Sequence, residues 1–214
     1  MIEPVRDPEL DAFVEAIETE LRTRRGKEHV LSPRDFALAR GLHEAGVSLA
    51  TVLVAIDAAF EHDPRTASLA ACRRRIEELA APSSGRAPRD GERASLAEVG
   101  ERLDSLRERL EELPGRAAAL PLAELTELAD LVAVSSRPNW DYLRERLHRL
   151  DVLVGAAAVE ALSPEQAETL RGETARAAER HKGRVDAGAL QQVQERLFRQ
   201  RARERLRLPR VSLD

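Results

Sequence analysis

A chain of 214 residues fits one large domain or two small ones, and with 43% apolar residues it can bury a core. Aromatic residues make up only 3%, so that core must be Leu, Ala and Val, a composition that favours packed helices over a sheet. A formal charge of −4 excludes a global attraction for nucleic acid, a single cysteine excludes an internal disulfide, and no apolar run approaches the ~20 residues of a membrane span.

The start MIEPVRDPEL does not read as a signal peptide, which makes the cytoplasm the expected compartment. Lys27 and Lys182 are the only lysines, an arginine bias that reads as that of a GC-rich bacterial genome. Pro8 fits the first turn of a helix running to about Arg25, with Leu10, Phe13, Val14, Ile17 and Leu21 as its buried stripe. Arg22, Arg24, Arg25 and Lys27 crowd its end, where cations complement the helix dipole. Ser32-Pro33, with Asp35 three residues after the serine, is a helix start, and Phe36, Ala39, Leu42 and His43 recur at helical spacing until Gly46 stops the helix. Ser48 caps the next, whose stripe is Leu49, Val52, Leu53, Ile56 and Phe60; His62, Asp63 and Pro64 break it. Ser68 opens a third short helix with Leu69, Cys72, Ile76 and Leu79 on its apolar side.

The order LSPRDF, LHEAGVSLATVLVAIDAAF, SLAACRRRIEEL over residues 32–79 resembles the helical domain of DnaD-type replication-initiation proteins. The likeness lies in a Leu-Ser/Thr-Pro-like helix start, a Gly-hydrophobic turn, a second helix with an Ile-x-x-Ala-Ile-like core and a short third helix after a Ser-Leu step. It covers about a quarter of the chain and implies a three-helix frame associated with DNA. In DnaD-like domains the third helix carries a tyrosine and a tryptophan implicated in DNA contact. Ala70, Ala71, Cys72 and Leu79 stand in that segment here, so the resemblance implies the frame and not those contacts. Over more of its length the chain resembles uncharacterised bacterial all-helical proteins.

PSSGRAPRDGER, residues 82–93, reads as a linker. Beyond it Ser95 precedes a helix with Leu96, Val99, Leu103, Leu106, Leu110 and Leu113 in near-heptad register, a spacing that wants a partner helix. Pro121 restarts the chain, with Leu122, Leu125, Leu128, Leu131 and Val132 continuing the pattern to about Val134. A turn over residues 135–139 leads into the longest helix, Trp140 to about Leu162, with Leu143, Leu147, Leu150, Val154, Ala157 and Ala161 facing inward. Ser163-Pro164-Glu165-Gln166 has reciprocal-cap spacing and opens a helix to about Arg180, and a last helix runs from about Asp186 to Arg207. The expected fold is all-α: two small helical bundles of about nine helices in total, residues 1–81 and 94–214, joined by the Pro/Gly/Ser linker.

The histidines, His29, His43, His62, His148 and His181, lie in different elements with no i, i+4 pair, Cys72 sits on an apolar stripe, and no phosphate loop or nucleophile elbow is present. No catalytic, cofactor-binding or metal-ligating residue is therefore expected. The last helix is the exception, because Arg196, Arg199, Arg203, Arg207 and Arg210, with Arg201 and Arg205 between them, form a local positive arm on an acidic chain. Those five are the candidate residues for a polyanion or an acidic protein partner, with Phe198, Leu206 and Leu208 as apolar anchors; the plainer reading is a solvated helix end docked against the body. The function expected is a non-enzymatic helical interaction module, DNA-associated in one form. The alternative is a helical scaffold or adaptor acting through protein contacts or self-association along the leucines between Leu96 and Leu113.

Overall fold

The computed structural model describes residues 7–26, 30–66, 68–80, 95–134 and 139–210. The expected linker at 82–93 lies outside them, as do His29, most of the 135–139 turn and the last four residues. Among the described residues there are nine α-helices and no strand: α1 (Pro8–Arg25), α2 (Pro33–Glu44), α3 (Leu49–His62), α4 (Leu69–Leu79), α5 (Leu96–Glu111), α6 (Ala119–Val134), α7 (Trp140–Glu160), α8 (Pro164–Glu179) and α9 (Ala187–Arg205). The protein is all-α, and no described helix is long and apolar enough to cross a membrane.

Helix starts follow the local chemistry. Asp7, Ser32, Ser48, Ser68, Ser95 and Asn139 each turn a side-chain oxygen to the first free backbone N–H groups of the helix they precede. Ser163 and Gln166 exchange the reciprocal bonds that their spacing predicts, 3.0 and 3.2 Å. At the end of α2 Gly46 takes φ 71° while Val47 N–H reaches back to the Leu42 carbonyl at 3.0 Å, which closes the helix in a left-handed turn. The end of α9 repeats this geometry with Leu208 N–H on the Arg203 carbonyl at 3.0 Å, but the left-handed position, φ 54°, is held by Arg207.

The chain divides into two compact units, Met1–Ser84 with Glu173–Leu197, and Gly85–Gly172 with Phe198–Asp214. The sequence grouped residues 94–214 together; by packing, the stretch 173–197 belongs with the N-terminal helices. The reason lies in its apolar side chains. Ala177, Ala178, Leu190, Val193 and Leu197 join Ile17, Leu21, Ile56, Leu69, Ile76 and Leu79 in the core of the first unit. A Leu or Ile taken fully out of water contributes about 1.5–3 kcal/mol, so such a set of residues outweighs proximity along the chain.

In the first unit α3 is buried on every side, not along one stripe. Ala50, Thr51, Val54, Ala55 and Asp57 are as inaccessible as Val52, Leu53 and Ile56. A helix apolar around its whole circumference must sit inside a shell of neighbours, and α1, α4 and the 173–197 stretch supply it. Phe36, expected at a core position, is 40% exposed, and Ala39 takes the inward place on α2. Asp35 does more than start α2: its Oδ1 accepts from Ala70 N–H at 2.8 Å, so one carboxylate ties the beginnings of α2 and α4.

In the second unit α5 packs on α6 and α6 on α7. Val99, Leu103, Leu106 and Leu110 meet Leu125, Leu128, Leu143, Leu147, Leu150 and Val154 in a second core. The leucine register of α5 is therefore met within its own unit. Arg146 fastens α7 to α6 by pairing with Glu124 at 2.6 Å and Glu127 at 2.9 Å.

Candidate functional site

Asp57 is the only charged side chain between Leu49 and Phe60 on the most deeply buried helix, and it is 1% exposed. A carboxylate in such a place stays ionised only if counter-charges come to it. They come from two directions within the first unit. From α1, Arg24 pairs with Asp57 Oδ1 through Nη2 and with Glu20 Oε1 through Nε at 3.3 Å. From the turn after α8, Arg180 reaches Asp57 Oδ2 at 3.3 Å and Glu61 Oε1 at 3.2 Å, His181 Nε2 lies 3.0 Å from Asp57 Oδ2, and Arg184 donates to Glu20 Oε2 at 2.7 Å.

Three acids, three guanidiniums and one imidazole thus form one network. Glu20, Asp57 and His181 are buried, and Arg24, Arg180 and Arg184 form the half-open rim. Burial works against the Asp57 charge, yet the His181 hydrogen bond and the positive charge of Arg24 outweigh it and hold the carboxyl below its ordinary 3.8. Arg180 is shifted upward; burial opposes its charge, and Asp57 and Glu61 more than compensate. The His181 Nδ1 atom is buried with no hydrogen-bond partner among the described residues, so the imidazole is held through Nε2 on Asp57.

One ligand atom from each of Glu20, Asp57 and His181 lies within 4.8 Å of the others, the spacing of a metal triad. The donor set does not fit a cation, because both oxygens of each carboxylate already accept from a guanidinium. A divalent ion would have to displace those arginines and share the space with their charge. The arrangement is chemically a charge-compensated clasp that fixes the 180–184 turn to the ends of α1 and α3. Spacing rules could not find it, since His181 and Asp57 are 124 residues apart. The available signal was the lone Asp57 in an apolar helix.

The five arginines proposed from the sequence are not one cluster. Arg196, in the first unit, donates to the Leu79 carbonyl at 3.1 Å and so closes the end of α4. In the second unit Arg203 is 6% exposed; it pairs with Asp151 and donates to the Pro209 carbonyl at 2.7 Å, so its charge is used internally. Arg199, Arg207 and Arg210 are exposed, as is Arg205. Phe198, one of the expected apolar anchors, is half-buried under the Arg171 guanidinium, 5.7 Å from its ring centre. Cys72 is fully buried, and its thiol is pushed up to about 12 by burial and by the nearby Asp35 charge.

No protein-family model, curated protein or solved structure matches the chain.

Proposed function

We propose that the protein is a non-enzymatic helical interaction module whose C-terminal arginines contact a phosphate polyanion, with nucleic-acid backbone as the first candidate. The observation that carries this reading is the division of labour in the arm. Arg203 anchors the helix inside the second unit, while Arg199, Arg205 and Arg207 stay exposed around its end. Arg207 adds to it. Glycine would satisfy the left-handed turn without strain, as Gly46 does at the end of α2, and an arginine there keeps an outward cation at a conformational cost. The DnaD-like frame of residues 32–79 agrees with a DNA-associated role but lacks the aromatic contacts of that family. Backbone binding of this kind is carried by charge and not by base sequence.

The test is binding of the full chain to a fluorescein-labelled DNA duplex by anisotropy over a range of salt. The expected result is affinity that falls linearly on a log–log plot against salt. Replacing Arg199, Arg205 and Arg207 together by alanine should flatten that slope by up to about 3, close to one for each phosphate no longer neutralised. Absence of binding at low salt, or an unchanged slope in the triple variant, would remove nucleic acid from the function.

A further inference from the structure

The outer face of α7 carries a second pattern, independent of the arginine arm. Tyr142, Glu145, Arg149, Val152 and Ala156 are all exposed and fall at steps of three and four, so they form one stripe along the helix opposite its buried leucines. Tyr142 is 44% and Val152 55% exposed, large apolar surfaces on a helix whose inner face is already packed. The spacing is that of coiled-coil seam positions, with tyrosine, arginine and alanine at one kind and glutamate and valine at the other.

In an antiparallel pair of helices each seam position of one kind meets the other kind in the partner. A two-fold axis at the level of Leu147 brings Glu145 opposite Arg149 of a second α7, and the same register brings Tyr142 opposite Val152. Each pair then occurs twice, the self-complementarity that an isologous interface needs. Parallel pairing in register would set glutamate on glutamate and arginine on arginine, which disfavours it. Arg149 keeps donors for this role, since its side chain is 69% exposed and only its Nε engages Glu124, at 3.4 Å. Arg146 lies against the Tyr142 ring, 5.9 Å from its centre, and bonds its hydroxyl at 3.0 Å, so the tyrosine is presented in a fixed position.

We infer that the outer face of α7 is an antiparallel self-association surface, occupied by α7 of a second copy of this chain. The sequence placed self-association on the leucines of α5, but those leucines lie in the core of their own unit.

The experiment is sedimentation velocity of the full chain over a concentration series. Wild type is expected to show a concentration-dependent dimer. Glu145→Arg alone and Arg149→Glu alone should each sediment as monomer, because each makes the charge pairs repulsive. An equimolar mixture of those two variants should recover a dimer, since the arginine introduced in one chain then faces the glutamate introduced in the other. That recovery separates pairing between chains from the i, i+4 pair within one helix. Val152→Arg, at a position already open to water, should raise the dissociation constant at least tenfold without altering the far-UV circular dichroism. A wild-type monomer throughout, single reversals that leave the dimer intact, a mixture that stays monomeric, or an unchanged constant for Val152→Arg would each overturn the inference.

Discussion

Replacing Asp57 by alanine removes the acceptor shared by Arg24, Arg180 and His181, and the structure sets the size of the loss. Each hydrogen bond to a charged group contributes about 1.5–3 kcal/mol, but the three are not additive. The Arg24 and Arg180 side chains are 26% and 43% exposed and can turn toward water, whereas His181 is fully enclosed and keeps an unpaired donor. The net cost should therefore resemble that of breaking one buried ion pair, about 3–5 kcal/mol, a large part of the ~5–15 kcal/mol that holds a typical protein folded. Urea denaturation followed by circular dichroism measures the cost, and hydrogen exchange locates it: amides of residues 177–190 and of the ends of α1 and α3 should exchange faster. The pH dependence has a defined sign. The Asp57 carboxyl is held below its ordinary 3.8, so the advantage of wild type over Asp57→Asn should be fully present above that pH and shrink as pH falls through the lower native value. A loss below about 1 kcal/mol, within reach of an ordinary substitution, with exchange around His181 unchanged, would refute the clasp.

Arg207→Gly should raise stability by about 1 kcal/mol, because glycine takes the left-handed turn without the Cβ penalty, whereas Arg207→Ala should give no gain; thermal melts of the two variants decide it. The same glycine variant should bind labelled duplex more weakly, so that stability and binding move in opposite directions. Cys72, buried and with its thiol pushed up to about 12, should resist a thiol-specific reagent at mildly alkaline pH in the folded protein and react fully in denaturant. Rapid labelling of the native chain would show that α4 is more open than its packing implies.

The helices and most of their ends were legible along the chain, because those depend on neighbours a few residues away. Ser32-Pro33, Ser163 with Gln166, Gly46 and the three-and-four spacing of leucines act locally, and each appears where the pattern places it. The Leu, Ala and Val composition of both cores, and with it the all-α class, was legible in the same way. What each apolar face meets was not legible there, because it depends on which helices folding brings together. The α5 leucines are satisfied by α6 in a core that α7 also joins, and the 173–197 stretch packs its alanines and leucines with the helices of residues 8–79. The charged residues were least legible, because an arginine reads alike whether it faces water or a buried carboxylate. Arg203 and Arg196 prove to be internal fasteners and Arg199 and Arg207 outward ones, a difference set by helix phase and by the partners that folding brings near. Asp57 is the reverse case. A lone acid in an apolar helix requires compensation, and only the folded chain, by returning the 180–184 turn to α3, identified the groups that provide it.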